Sequence, residues 1–309
     1  KSCHHPEAFI MNTSLLTLES LLVLDAIERR GSFAAAAEQL NKVPSALSYI
    51  VQKLEEQLGV TLFVRQGRRS VLTPAGQHLL EEGRKVLTAV SKITEQTQTI
   101  AHGWEPKIRI AIDSILDNEK IFNVMADFLY EHPSIEIDIK EEVMNGTWEA
   151  LIKDEVDLVI GAPEPIPSQQ GLRAVKIDTL DLLLVVKANH PLLQYEQPLN
   201  KSDLRQFRTV VVHDSVKGEI PRSSNLIEES QHFFVSSVNQ KIEAVLAGIG
   251  IGFLPKNRIQ PYLDKQLFIH LDFPEAVKKC DLFMAWKTVN HGKGLQNLRS
   301  RLEKAYLET

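Results

Sequence analysis

The feature that most constrains this fold is a change of hydrophobic period near Trp104-Glu105-Pro106. Before it, apolar residues recur three and four apart, the spacing that lines one face of a helix. After it, short β-rich runs at 107–112, 135–139 and 156–160 alternate with helical stretches at 118–131 and 148–153. Alternation of this kind builds an α/β fold with mostly parallel sheets. Further strands are expected at 182–186, 209–212, 233–236, 251–254 and 282–286. With 309 residues the chain has room for two or three domains, each with its own core.

The N-terminal part punctuates itself clearly. Leu18, Leu21, Leu22, Val23 and Ile27 predict a helix over 17–30, which Gly31 ends. Ser32 is placed to cap a second helix, 33–40, whose alanines present a small face. Residues 41–43 make a turn. Pro44 opens a third helix running to about Leu58, because the first helical position has no use for an N–H. Gly59 stops it, and 62–64 and 70–72 read as two short strands around the basic tip Gly67-Arg68-Arg69. Thr73-Pro74 then opens a helix extending to about 103. Leu79, Gly83, Val86, Val90, Ile93, Thr97 and Ile100 follow a three-and-four spacing along it, the seam of a coiled coil with two weak positions. No neighbour in the chain is evident for so long a helix, so the seam is expected to pair two copies.

Charge is distributed unevenly. The net charge of −5 lies wholly in residues 106–309, with 24 basic against 29 acidic side chains, while residues 1–105 balance 11 against 11. Between Asn41 and Thr73, Lys42, Lys53, Arg65, Arg68 and Arg69 face only Glu55 and Glu56, enough local positive charge to hold phosphates. The two cysteines, Cys3 and Cys280, form no close cluster, so neither a disulfide framework nor a metal site is expected. No apolar run approaches a membrane span of roughly 18 residues, and residues 1–16 lack the pattern of a secretion signal. They are read as a leader or an appended remnant, and a cytoplasmic protein without membrane association is expected.

Function is carried first by helix, short turn, helix and basic hairpin. In such a winged helix-turn-helix the second helix enters the major groove and its first turns meet base edges. Ser45, Ser48, Tyr49 and Gln52 are the candidate readers at the start of that helix. Lys42, Lys53, Arg68 and Arg69 would hold phosphates, with Ser32 and the amides of its helix N-terminus. Enzyme motifs are lacking: no GxSxG, HExxH or P-loop is present. The Gly248-Ile249-Gly250-Ile251-Gly252 run follows a helix rather than a strand, so it reads as a helix cap and tight turn, not a dinucleotide fingerprint. No catalytic residue, metal or cofactor is expected. A solute-binding receptor was the competing class, but it leaves residues 17–73 without a purpose.

Particular strings sharpen this. Residues 31–40 (GSFAAAAEQL), Ser45-Ala46-Leu47-Ser48, residues 53–59 (KLEEQLG), Leu62-Phe63-Val64-Arg65 and Leu72-Thr73-Pro74-Ala75-Gly76 resemble the signature of LysR-type transcriptional regulators. Asp157-Leu158-Val159-Ile160-Gly161, His190-Pro191-Leu192 and residues 245–255 (VLAGIGIGFLP) extend the resemblance to the C-terminus. Two positions depart from it. Pro44 stands where the family usually has Gln, and Tyr49 where it usually has Arg or a similar polar residue; both commonly face DNA.

The resemblance implies a DNA-binding domain (17–73), a dimerising linker helix (74–104) and an effector domain (105–309) like the type 2 periplasmic binding proteins. Its lobes, 105–180 with 287–309 and 181–286, would be joined by crossing strands at 182–186 and 282–286. Strand C-termini of such domains face a ligand cleft. That directs attention to Ser114, Ile115, Leu116, Trp148, Ala162, His213, Ser236, Ser237 and Phe253. Ser114 and Ser237 would open helices on opposite sides of the cleft and bond an anionic or aromatic small molecule, with Ile115 and Phe253 holding its body. Partners implied are double-stranded promoter DNA, that effector, further copies in a dimer and tetramer, and RNA polymerase.

Overall fold

The computed structural model describes residues 16–66, 69–218, 220–222 and 227–307. The chain divides into two compact units, one ending at Gln98 and the other starting at Thr99.

The first unit contains helices α1 (Leu18–Arg30), α2 (Phe33–Gln39) and α3 (Pro44–Leu58), strands β1 (Phe63–Gln66) and β2 (Arg69–Leu72), and most of α4 (Pro74–Ala101). Local capping explains the boundaries. Thr17 accepts from the Ser20 amide while the Ser20 hydroxyl accepts from the Thr17 amide, a reciprocal capping box. Ser32 accepts from the Ala35 amide, and Pro44 occupies the first turn of α3. Val23, Ile27, Ala36, Ala37, Leu47 and Val51 form one buried cluster. Leu21, Leu24, Leu54, Leu62 and Leu80 form a second, which fastens the start of α4 and the hairpin to α3. Glu55 of α3 tightens that junction by accepting from the amides of Leu62 (2.6 Å) and Phe63 (3.1 Å). Along α4, Leu80 and Gly83 are buried, whereas Val86, Ile93 and Ile100 are exposed.

The second unit is α/β. Strands β3 (Lys107–Asp113), β4 (Glu136–Glu142) and β5 (Leu158–Pro163) pair in parallel, with α5 (Glu119–Glu131) and α6 (Asn145–Ile152) between them in sequence. Two long strands, β6 (Leu172–Lys187) and β11 (Val277–Lys287), pair antiparallel with each other. The other lobe adds α7 (Lys201–Arg205), the parallel pair β7 (Thr209–Val212) and β8 (His232–Val235), α8 (Val238–Ala247), β9 (Gly252–Pro255), α9 (Lys256–Asp264) and β10 (Phe268–His270). β9 and β10 both pair antiparallel with β6, and α10 (Lys293–Leu307) closes the chain against the first lobe.

Two sequence expectations change here. The sheet is mixed rather than mostly parallel, because the chain returns through β6 and β11 and every pair that these strands make is antiparallel. The lobe boundary also moves. Leu282–Trp286 was assigned to the second lobe, yet it pairs with β5 and buries Leu282 and Met284 beside Ile108, Ile110 and Leu158 of the first. The passage between lobes falls near the Leu180–Cys280 pair.

Candidate functional site

On the first unit, α3 turns Leu47, Val51 and Leu54 inward and leaves Pro44, Ser45, Ser48, Tyr49, Gln52 and Lys53 exposed on the opposite face. Tyr49 keeps 64% of its surface. Ser48 bonds the Pro44 carbonyl (3.1 Å) and Gln52 bonds Glu56 (2.9 Å), so both polar heads sit on the helix surface rather than in the core. Lys42 lies at the turn before α3 and pairs with Glu19 (2.7 Å). Ser32 is occupied as the cap of α2. Arg69 is exposed in β2 opposite Gln66; Arg68 lies outside the described residues.

On the second unit a cavity of about 160 Å³ opens between the lobes. Of the residues singled out from sequence, Ser114, Ile115 and Phe253 line it. The others sit elsewhere for visible reasons. Leu116 packs into the first lobe's core. Trp148 and Ala162 are buried in a separate cluster, where the Trp148 indole donates to the Pro163 carbonyl (2.8 Å) and so fixes a residue that does line the cavity. His213 is exposed and stacks on Phe234. Ser236 is exposed, and Ser237 turns its hydroxyl to the Gln240 amide as the cap of α8.

The environment of Ser114 differs from the expected cradle of free amides. Its own amide donates to the Glu142 carbonyl (2.9 Å), that of Ile115 to the Asp113 carboxylate (3.0 Å), and that of Leu116 to the Asp113 carbonyl (3.1 Å). What remains is the hydroxyl. Ser114 is 4% exposed, and among the described residues its buried Oγ has no hydrogen-bond partner, a costly condition that a ligand would relieve. Asp113 is also buried. It accepts from the Ile115 and Met144 amides and from the Thr147 hydroxyl, yet burial outweighs these bonds and raises its carboxyl to about 6. The bond from Met144 (2.7 Å) holds that residue at φ 51°, a conformation rare for a residue with a side chain.

Sequence reasoning missed the cationic side of this cavity. Lys241, Lys278, Lys279 and Arg222 all line it. Lys278 lies over the Phe253 ring at 4.3 Å, and burial lowers its amine from the usual lysine range. The signal for Lys241 was present. It falls at a buried position among Val238, Ile242 and Val245, where helical spacing calls for an apolar side chain. The lobes are also tied directly: the Arg258 guanidinium, from α9, donates to the Ser114 carbonyl (2.6 Å).

Family models match both units. Residues 18–77 match the bacterial regulatory helix-turn-helix protein of the lysR family, and residues 101–305 match the LysR substrate binding domain. The chain is 35% identical to the probable HTH-type transcriptional regulator YhaJ of Escherichia coli (strain K12), over 90% of this chain and 93% of that protein. It is 33% identical to HTH-type transcriptional regulator PunR of the same strain, over 87% and 86%. Its fold resembles full-length LysG of Corynebacterium glutamicum with bound effector Arg (TM-score 0.52, 20% identity, 95% and 99% covered). An OxyR mutant from the same organism is also similar (TM-score 0.57, 19% identity, 94% and 93% covered). A third helix with its hydrophilic face outward, a hairpin at its end and a two-lobed domain around a cavity are thus found in one chain whose sequence matches both family models: the chain belongs to the LysR family of DNA-binding transcriptional regulators.

Proposed function

We propose that α3 reads base edges through Ser45, Ser48, Tyr49 and Gln52, with Pro44 setting the first turn against the groove. Lys42, Lys53, Arg68, Arg69 and Ser32 hold the flanking phosphates. Copies of the chain pair along α4 and assemble further into a tetramer on promoter DNA, where they contact RNA polymerase. A small molecule in the interlobe cavity, bonded by Ser114 and packed on Ile115 and Phe253, changes the lobe angle and with it transcription. The chain acts as a regulator and not as an enzyme. The observation that carries this reading is the orphaned Ser114 hydroxyl inside a cavity between two lobes, in a chain that also presents the exposed face of α3. A ligand shifts such an equilibrium only if it binds one lobe arrangement better than the other.

Genomic mapping of bound sites, followed by salt titration on the recovered fragments, tests the DNA assignment. Each phosphate contact contributes about 1 to the slope of log K against log salt. Arg69→Ala is expected to lower that slope by about 1 on specific and random DNA alike, and Tyr49→Ala to weaken specific binding more than random binding. An unchanged slope in Arg69→Ala, or recovered fragments bound no better than random duplex, overturns it.

A further inference from the structure

We infer that the cavity takes a small organic acid, one carboxylate on an apolar body about the size of a single ring, and that Lys241 and Ser114 grip the carboxylate from opposite lobes. The inference rests on the reading of this cavity as the effector site, and Lys241 decides the chemistry.

Lys241 is 4% exposed, and among the described residues its ammonium has no hydrogen-bond or ion-pair partner. An ammonium withdrawn from water and left unpaired is strongly unfavourable. The fold nevertheless makes room for it. A Cβ at position 252 would lie 2.9 Å from Lys241 Cε, so the lysine stem runs close over the glycine at the start of β9. Among the described residues one carboxylate lines the cavity, Asp113, and it is already engaged by three donors of its own lobe. A protonated Lys241 would therefore take its counter-charge from the occupant.

The rest of the lining sets the size and charge of that occupant. About 160 Å³ is close to the roughly 150 Å³ of an apolar cavity that admits benzene. Ile115, Val143, Val238 and Phe253 supply apolar walls for a ring. The backbone amides of 114–116, which would cradle a phosphate at such a strand end, are all committed. The orphaned Ser114 hydroxyl and the buried Lys241 amine line one cavity together with apolar side chains, a combination that suits a carboxylate carried on an apolar body.

The test uses the full chain, with a panel of ring-substituted benzoates and their matched benzamides as probes, read by thermal shift and calorimetric titration. Lys241→Met keeps the stem and removes the charge, and its own melting temperature reports folding. Acids are expected to bind wild type and to lose about 10- to 100-fold affinity in Lys241→Met, the loss expected for one hydrogen bond to a charged group. Amides should bind both proteins equally weakly. Amides binding as tightly as acids, or acids binding Lys241→Met as they bind wild type, overturns the inference. Ile115→Trp, which fills the cavity, separates the two readings. If neutral probes bind and Ile115→Trp blocks them, the cavity remains the effector site and the charge assignment falls. If no probe binds, or binding ignores Ile115→Trp, both fall.

Discussion

A lysine without a counter-ion inside a folded protein makes stability depend on pH in a definite direction. Burial, with the Lys278 ammonium nearby, pushes the Lys241 amine down to about 7 from its ordinary 10.5. Between these values the unfolded chain holds a proton that the folded chain has released, so stability rises with pH across that window. Asp113 works over a lower range. Its folded value of about 6 lies above the ordinary 3.8, so the folded form holds the extra proton and stability falls as pH rises from about 4 to 6. The other titratable groups lining the cavity are Arg222, Lys278, Lys279 and Cys280, and burial raises the Cys280 thiol to about 11. Lys241→Met is therefore expected to raise the melting temperature at neutral pH by several degrees and to flatten its climb between pH 7 and 10, leaving the slope between pH 4 and 6 unchanged. An identical climb in mutant and wild type would show that Lys241 keeps its proton in the folded state. Lys241 also marks where sequence reasoning stops. Its place in an apolar stripe is visible, but whether a lysine there snorkels to water or stays inside depends on Gly252 and β9, which pack on it from a distant part of the chain.

Elements show a similar division between what is local and what is not. α4 begins on its own core, with Leu80 buried and Gly83 in contact with Leu21, and then leaves Val86 at 47%, Ile93 at 62% and Ile100 at 58% exposed. An exposed apolar stripe at helical spacing fits a seam between two copies. Asp at both Val86 and Ile93 is expected to cost roughly 3 to 5 kcal/mol per charge buried in such a seam. Sedimentation of that double variant should show monomers, with DNA affinity falling because half-sites are no longer held together. A dimer persisting at micromolar concentration would move the seam elsewhere. The helices of the first unit were legible nearly to the residue because caps are local: Thr17, Ser32, Pro44 and Gly59 each act within one turn of where they stand. β6 was read as five residues and spans sixteen. Lys176, Asp178 and Asp181 interrupt its apolar pattern, and they are tolerated because β11 supplies their pairing across the lobe boundary. Ser237 was placed in the cavity by analogy with Ser114, but a hydroxyl at the start of a helix can be spent on its own helix, and here it is.

At the scale of the whole molecule, the division after Gln98 predicts how the chain melts. Each unit has its own buried clusters: Val23, Ile27, Leu47 and Leu54 in the first, Ile108, Leu158, Val185 and Leu254 in the second. Units with separate cores need not unfold as one cooperative step. Calorimetry of the full chain is expected to resolve two transitions, and residues 99–309 expressed alone should reproduce one of them. The benzoate probes that bind should raise only that transition. A ligand at 100 times its dissociation constant stabilises the form it binds by about 2.7 kcal/mol, enough to move a domain of this size by several degrees. Duplex DNA should raise only the other. Regulation then becomes measurable as the departure from this independence. If acid and DNA are linked, adding the acid must change DNA affinity by the same factor as DNA changes acid affinity, because equilibrium coupling is reciprocal. A three-component titration checks that equality. Arg258→Gln, which removes the guanidinium bonded to the Ser114 carbonyl between the lobes, is expected to shrink the factor towards 1 while leaving DNA binding without acid intact. A factor unchanged in Arg258→Gln would mean that this tie between the lobes does not transmit the signal, and a single transition raised by either ligand would show that the two units melt as one.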